Sequence, residues 1–227
     1  MRPSCSGTKR LPPDTATSPD QQPVTDSMDT LLQEIRACRI CLGETGNTPL
    51  PHEPRPVLVA SRQARVLIAS QAPGLRVHET GLPFNDRSGD RLRDWMGVTR
   101  DEFYDPARFA IVPMGFCFPG YDKNGGDLPP RRECAAHWRA RILAEMPQIE
   151  LILTIGQYAQ AYHLGDMRRK NLTDTVREWR VIMASPVKPR VLPMPHPSWR
   201  NTGWLKRHPW FEQELLPVLR SEIRAMI

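Results

Sequence analysis

Three groups of residues in this chain have types and spacings that can do chemistry. The first is Ser70-Gln71-Ala72-Pro73-Gly74, followed by Thr80-Gly81-Leu82-Pro83-Phe84 and then by Ser88-Gly89. Small residues there let the backbone come close to a ligand, and Pro73 removes a donor and stiffens the loop. Phe84 offers an aromatic face on which a base can stack. An ordinary strand-to-helix turn with a core phenylalanine would carry the same residues. The second group is Pro195-His196-Pro197-Ser198-Trp199-Arg200-Asn201-Thr202-Gly203-Trp204-Leu205-Lys206. His196 lies between prolines, so its imidazole is held in place. Ser198, Arg200, Asn201 and Lys206 suit phosphate contacts. Trp199, Trp204 and Leu205 are large apolar groups of the kind that wedge into a base stack. The third group is cysteine. Cys38 and Cys41 form a C-x2-C, and Cys117 and Cys134 follow far along the chain. A C-x2-C is common to zinc and iron–sulfur sites, and spacing alone does not choose between them.

Elements must position these groups. Four short apolar runs read as buried strands: Arg65-Val66-Leu67-Ile68-Ala69, Phe109-Ala110-Ile111-Val112, Leu151-Ile152-Leu153-Thr154-Ile155 and Arg190-Val191-Leu192-Pro193-Met194. Helical patterns separate them. The clearest runs from Glu133 to Met146, with Cys134, Trp138, Ile142, Leu143 and Met146 on one face. Others are Asp90 to Met96, Gln157 to Leu164, Leu172 to Trp179 and Trp210 to Ile227. A first helix follows Ser27, a plausible N-cap, with Met28, Leu31, Leu32 and Ile35 at helical spacing. Strands alternating with helices predict an α/β fold of three layers, a central four-stranded parallel sheet flanked by helices. Ligands bind beyond the carboxyl ends of such strands. That rule selects the segments after the first and last strands.

The 227 residues fit one domain, and 40 % hydrophobic content can bury a core without a disulfide or metal. A net charge of +6 is compatible with a polyanionic partner. No apolar run approaches the roughly 18 residues of a membrane span. No apolar h-region marks a secretory signal, so a cytoplasmic location is expected. There, five cysteines do not form a disulfide framework. Residues 1–26, rich in Pro, Ser, Thr, Asp and Gln, read as a disordered tail that includes Cys5, and 27–227 as the domain. Residues 43–63 read as proline-rich and irregular. Neither a G-x-S-x-G elbow nor a phosphate-binding G-x-x-x-x-G-K occurs.

Together, the first two groups resemble the two signature motifs of the uracil-DNA glycosylase superfamily, most of all its iron–sulfur branches first known from thermophiles. One motif of those branches is similar to Gly-Glu-Ala-Pro-Gly, then Gly-x-Pro-Phe, then Ser-Gly. It corresponds here to Ser70 to Gly74, Gly81 to Phe84, and Ser88-Gly89. Their other motif is His-Pro-Ser with an arginine or asparagine following, here His196 to Asn201. The resemblance spans about Arg36 to Leu219 and leaves the tail outside. It implies a [4Fe-4S] cluster on Cys38, Cys41, Cys117 and Cys134, with zinc as the chemical alternative. It implies a monomer acting on DNA that holds a damaged or deaminated base, which is flipped out before its N-glycosidic bond is hydrolysed. In that reading His196 stabilises the departing base through its O2, Phe84 stacks on it, and Ala72, Pro73 and Gly74 line its site. Ser198, Arg200 and Asn201 pin the backbone, and Trp199 or Leu205 enters the gap. No soluble cofactor is needed.

Two positions depart from the pattern. Gln71 stands where the relatives have glutamate. An amide cannot act as a general base, although it can orient a water. Asp86, just after Phe84, is the nearest carboxylate and the candidate to activate the water or steady the sugar cation. Relatives also carry a uracil-reading asparagine near the end of the second strand. Here that place is Val112-Pro113-Met114-Gly115, with no amide. The polar segment from Pro119 to Asp127 offers Asn124 as a substitute. The expected function is excision of uracil or another deaminated base. The alternatives are a glycosylase-fold protein that binds nucleic acid or nucleotides without turnover, and a hydrolase of small nucleosides.

Overall fold

The computed structural model describes residues 28–43 and 49–227. The expected tail, with Cys5, and the expected N-cap Ser27 lie outside the described residues. Four strands form within a residue of their predicted bounds: β1 (Val66–Ala69), β2 (Phe109–Ile111), β3 (Leu151–Ile155) and β4 (Arg190–Met194). They make one parallel sheet in the order β2-β1-β3-β4. The helices are α1 (Met28–Arg36), α2 (Leu75–Thr80), α3 (Arg87–Met96), α4 (Arg100–Tyr104), α5 (Arg132–Ala144), α6 (Gln157–Leu164), α7 (Leu172–Arg177), α8 (Trp179–Met183), α9 (Thr202–Arg207) and α10 (Leu216–Arg224).

The strands are apolar at almost every position because both faces are covered. Their side chains alternate between two cores. Val66, Ile68, Phe109, Ile111, Leu153 and Leu192 meet Leu92, Trp95, Phe103, Phe211 and Leu219 on one side. Leu67, Ala69, Ala110, Val112, Ile152 and Val191 meet Leu31, Ile35, Trp138, Ile142 and Ala159 on the other. Each fully buried large side chain among them contributes about 1.5–3 kcal/mol. This is the expected three-layer α/β architecture. The irregular segment before β1 has its own task. Val59 and Ile111 exchange backbone hydrogen bonds (2.9 and 2.7 Å), which covers the outer edge of β2.

Two predicted helices are broken. The one read from Leu172 to Trp179 becomes α7 and α8, divided at Glu178, so that Val176 and Trp179 both reach the core. The one read from Trp210 to Ile227 opens with a π-turn at Phe211–Leu215, in which the Leu216 N–H bonds to the Phe211 carbonyl. Pro217, next in line, has no N–H with which to continue α spacing. Three short helices, α2, α4 and α9, are absent from the sequence reading. No helix of the described residues is long and apolar enough to cross a membrane.

Candidate active site

Residues leaving β1 are held by the segment leaving β2. The carbonyls of Ser70 and Gln71 accept the N–H groups of Met114 and Gly115, both at 2.9 Å. The chain then enters α2 at Gly74 and leaves it through Gly81, whose φ of 68° closes the helix with a bond to the Val77 carbonyl. Phe84 also has positive φ (53°), which is uncommon for a large side chain. Gly89 packs directly against this backbone. A Cβ there would lie 1.7 Å from the Phe84 carbonyl oxygen. Only glycine lets the first turn of α3 sit against that backbone. Asp86 caps α3, its Oδ1 accepting from the Gly89 N–H at 2.8 Å.

The loop after β4 is braced at each end. The buried Gln160 amide and the Gly156 N–H both donate to the Met194 carbonyl at 3.0 Å. Gly156 takes β3 directly into α6, so no long loop blocks the way from β4 to β1. Further on, the Asn201 amide donates to the His196 carbonyl at 2.7 Å. Ser198 accepts from the Arg200 N–H at 3.3 Å, and Arg91 donates to the Ser198 carbonyl at 3.0 Å. Burial holds the His196 imidazole below its ordinary pKa, against the opposing charge of Asp86. The ring is therefore neutral at neutral pH and offers one N–H.

These two loops wall a single cavity of about 110 Å3. Ala72, Pro73, Gly74, Phe84, Asp86, His196 and Ser198 all line it. Three of the predicted site residues do not. Gln71 lies against the Gly156 turn, where a Cβ would come within 3.3 Å of its Cδ. Asn201 is used up in holding the His196 carbonyl. Arg200 reaches across to the Gly125 carbonyl at 3.4 Å. The three wedge candidates also separate. Trp199 is 67 % exposed. Trp204 and Leu205 pack on the core, with the Trp204 indole bonded to Thr173 at 2.8 Å.

Ile111 and Pro113 wall the cavity at the end of β2, and no amide side chain stands among its lining residues. Asn124 belongs to a turn in which Asp122 Oδ1 accepts the N–H groups of Asn124 and Gly126. The group that enters from this segment is Asp127, which sequence reasoning passed over. The residue as a whole is exposed. Its carboxyl turns inward, with Oδ2 3.8 Å from a Cβ position on Gly74. Burial raises its pKa, opposed by Arg200 and reinforced by Asp86 and Asp122. Behind Pro113 lies Arg139, completely buried. Its guanidinium donates to the carbonyls of Val112 (2.9 Å) and Pro113 (3.0 Å) and contacts His163 Nε2 at 2.5 Å. No carboxylate among the described residues pairs with it. Burial lowers its pKa.

A second cavity is lined by Cys38, Cys41, Cys117 and Cys134 together. Two N–H groups aim at its sulfurs: Phe116 N–H at Cys134 Sγ and Trp138 Nε1–H at Cys38 Sγ, both at 3.3 Å. The described residues contain no group of three or more His, Cys, Asp or Glu closed around a single-ion position. The thiols thus share a wall without converging on a point. Burial pushes Cys41 up to about 11 and Cys117 and Cys134 up to about 12. Ligation would therefore release protons. Four thiols around one cavity, with N–H donors on two of the sulfurs, fit an iron–sulfur cluster, whose thiolates accept such bonds.

The C-x2-C precedes the region in which comparison with known families finds a match. A family model for the uracil DNA glycosylase superfamily matches residues 56–220, well over half of the chain and both loops that wall the cavity, and the chain belongs to that superfamily.

Proposed function

We propose that this chain is a DNA glycosylase that excises uracil or another deaminated base. The observation that carries the reading is the convergence of the loops after β1 and β4 on one cavity, with half-buried His196 and the carboxylate of Asp86 in its wall. Hydrolysis has water attack C1′ of the deoxyribose. The bond from C1′ to the base nitrogen breaks, and its electron pair leaves with the base. Negative charge grows on the base while positive charge grows on the sugar. The neutral imidazole of His196 donates its N–H to an oxygen of the departing base, and this bond strengthens as the charge grows. Asp86, fixed by the Gly89 N–H, steadies the sugar cation and accepts a proton from the water. Phe84 stacks on the base. Trp199, standing exposed beside Ser198, fills the space that the flipped base leaves in the duplex.

The same reading assigns a [4Fe-4S] cluster to Cys38, Cys41, Cys117 and Cys134. When bound it supplies four iron–thiolate bonds that tie the segment after α1 and the turn after β2 to α5. An absorbance shoulder at about 400 nm in anaerobically purified protein distinguishes it from zinc. A second reading, a protein that binds nucleic acid without turnover, draws support from Gln71, which turns from the cavity and brings no acid to it.

The test uses oligonucleotides with a single uracil, hypoxanthine or xanthine, single- and double-stranded, cut by alkali at any abasic site. The expected result is cleavage that His196→Ala reduces by about 10²–10³-fold, the cost of one transition-state donor. No cleavage of any substrate by protein with its cysteine site loaded would favour the binding reading.

A further inference from the structure

The cavity has a polar group whose task the chemistry above leaves open. Asp86 is assigned to the sugar and the water, Ser198 to the Arg200 N–H, and His196 to the oxygen of the leaving base. Asp127 also lines the wall. Its carboxyl makes no side-chain hydrogen bond among the described residues. Its backbone is well anchored. The loop is pinned by the Leu128 N–H on the Gly120 carbonyl at 2.9 Å, by the bridge between Tyr121 and Asp127, and by Arg200 on the Gly125 carbonyl. A fixed loop holding an unengaged polar group over a cavity is suited to recognition. Ile111 and Pro113, also in the lining, offer no side-chain donor or acceptor.

We propose that Asp127 reads the hydrogen-bonding edge of the base held in this cavity, its neutral carboxyl pairing with a lactam edge, a carbonyl oxygen beside a ring N–H. This rests on the glycosylase reading and adds a base-reading residue to it. Uracil, hypoxanthine and xanthine carry that edge. Adenine and cytosine carry the reverse order, an amino donor beside a bare ring nitrogen. A neutral carboxyl has one O–H donor beside one carbonyl acceptor, the same pair that a side-chain amide offers. An ionised carboxylate has acceptors only, and one of them would face the carbonyl oxygen of the base. Seating a base removes water from the mouth of the cavity and favours the neutral form. The groups facing Asp127 are Asp86 at the start of α3, Asp122 on its own loop, and Arg200 and His196 from the loop after β4. The two acids favour the neutral form, Arg200 opposes it, and His196 is uncharged.

The experiment compares wild type, Asp127→Ala and Asp127→Asn, each with its cysteine site intact. Two readouts are used. One is excision from oligonucleotides carrying uracil, hypoxanthine or xanthine, at about pH 5.5 and about pH 8.5. The other is affinity for uncleavable 2′-fluoro versions, against controls with adenine or cytosine at the same position. Asp127→Ala is expected to lose at least about tenfold both in excision and in affinity for the lactam base, the cost of an unread polar edge. Asp127→Asn is expected to keep both. Its rate relative to wild type should rise from the lower to the higher pH, because the amide cannot ionise. The ratio of the two proteins cancels the titration of His196. Wild-type excision or affinity for the lactam base that Asp127→Ala retains in full would overturn the assignment and leave the glycosylase reading standing. A wild type that excises nothing and prefers no lactam base in binding would overturn both.

Discussion

The two cavities are built on opposite plans. The one at the carboxyl ends of the strands takes its groups from four separate segments, and several are polar. Each is held by a backbone contact: Asp86 by the α3 cap, His196 by Asn201, Phe84 by the absence of a side chain at Gly89. The cysteine cavity lies among Ile40, Pro54, Pro56, Phe116, Arg131 and Trp138, and N–H groups point at its sulfurs. The first is arranged to touch a solute, the second to hold its own walls together. Yet α5 serves both. Cys134 on its first turn faces the cysteine cavity, and Arg139 further along holds the two carbonyls just after β2, behind the base-sized cavity. The plans are separate, but the support is shared.

The strongest way to break the comparison is Gly89→Ala. A methyl placed 1.7 Å from the Phe84 oxygen forces the α3 entrance apart. The expected cost is at the upper end of overpacking, about 3 kcal/mol or more. Excision and Phe84 placement should be lost while the absorbance of the cysteine site survives, as read by denaturation and by spectrum. Arg139→Leu tests the shared support. It removes the donors of two buried carbonyls at about 1–3 kcal/mol each. Both the melting temperature and the excision rate should fall, whereas a change confined to one cavity would show that α5 does not couple them.

Acid should act through the same contact. His163 is held at about 3, first by burial and then by the Arg139 charge. The unfolded chain, titrating near 6.5, binds more protons in between, so stability is lost as pH falls from about 6.5 toward 3. His163→Gln should shrink the fall in melting temperature between about pH 7 and pH 4.5. It should not abolish it, since Glu102, drawn down to about 2 mainly by the hydrogen bond from Arg224, loses stability in the same direction. The smallest stability effect belongs to Asp86. Asn caps a helix as well as Asp does, so Asp86→Asn should leave stability within a few tenths of a kcal/mol and Asp86→Ala should cost about 1 kcal/mol. If the carboxylate acts on the sugar and the water, both variants lose excision equally, and an unimpaired Asp86→Asn would restrict this residue to the cap.

Much of the fold was legible because its signals are local. The apolar runs of β1 to β4 and the cysteine-bearing face of α5 follow from short-range periodicity. A readable signal for α4 was passed over, the Thr99-x-x-Glu102 capping box, both halves of which form. The helix α2 is six residues long, too short for a periodic pattern to declare itself.

What the sequence determined by itself was the layered parallel sheet, the two loops at its carboxyl ends, and His196, Phe84 and Asp86 as the residues those loops would carry. Side-chain type and spacing decide such features before any distant contact forms. Only the tertiary structure decided that Asp127 rather than Asn124 enters the cavity, that Gln71 turns to Gly156, that Trp204 and Leu205 join the core while Trp199 stays outside, and that Arg139 holds the β2 exit. Each of those outcomes depends on which of several similar polar or aromatic groups finds a partner far along the chain. Burial and hydrogen bonding choose among them after the sheet has brought its ends together.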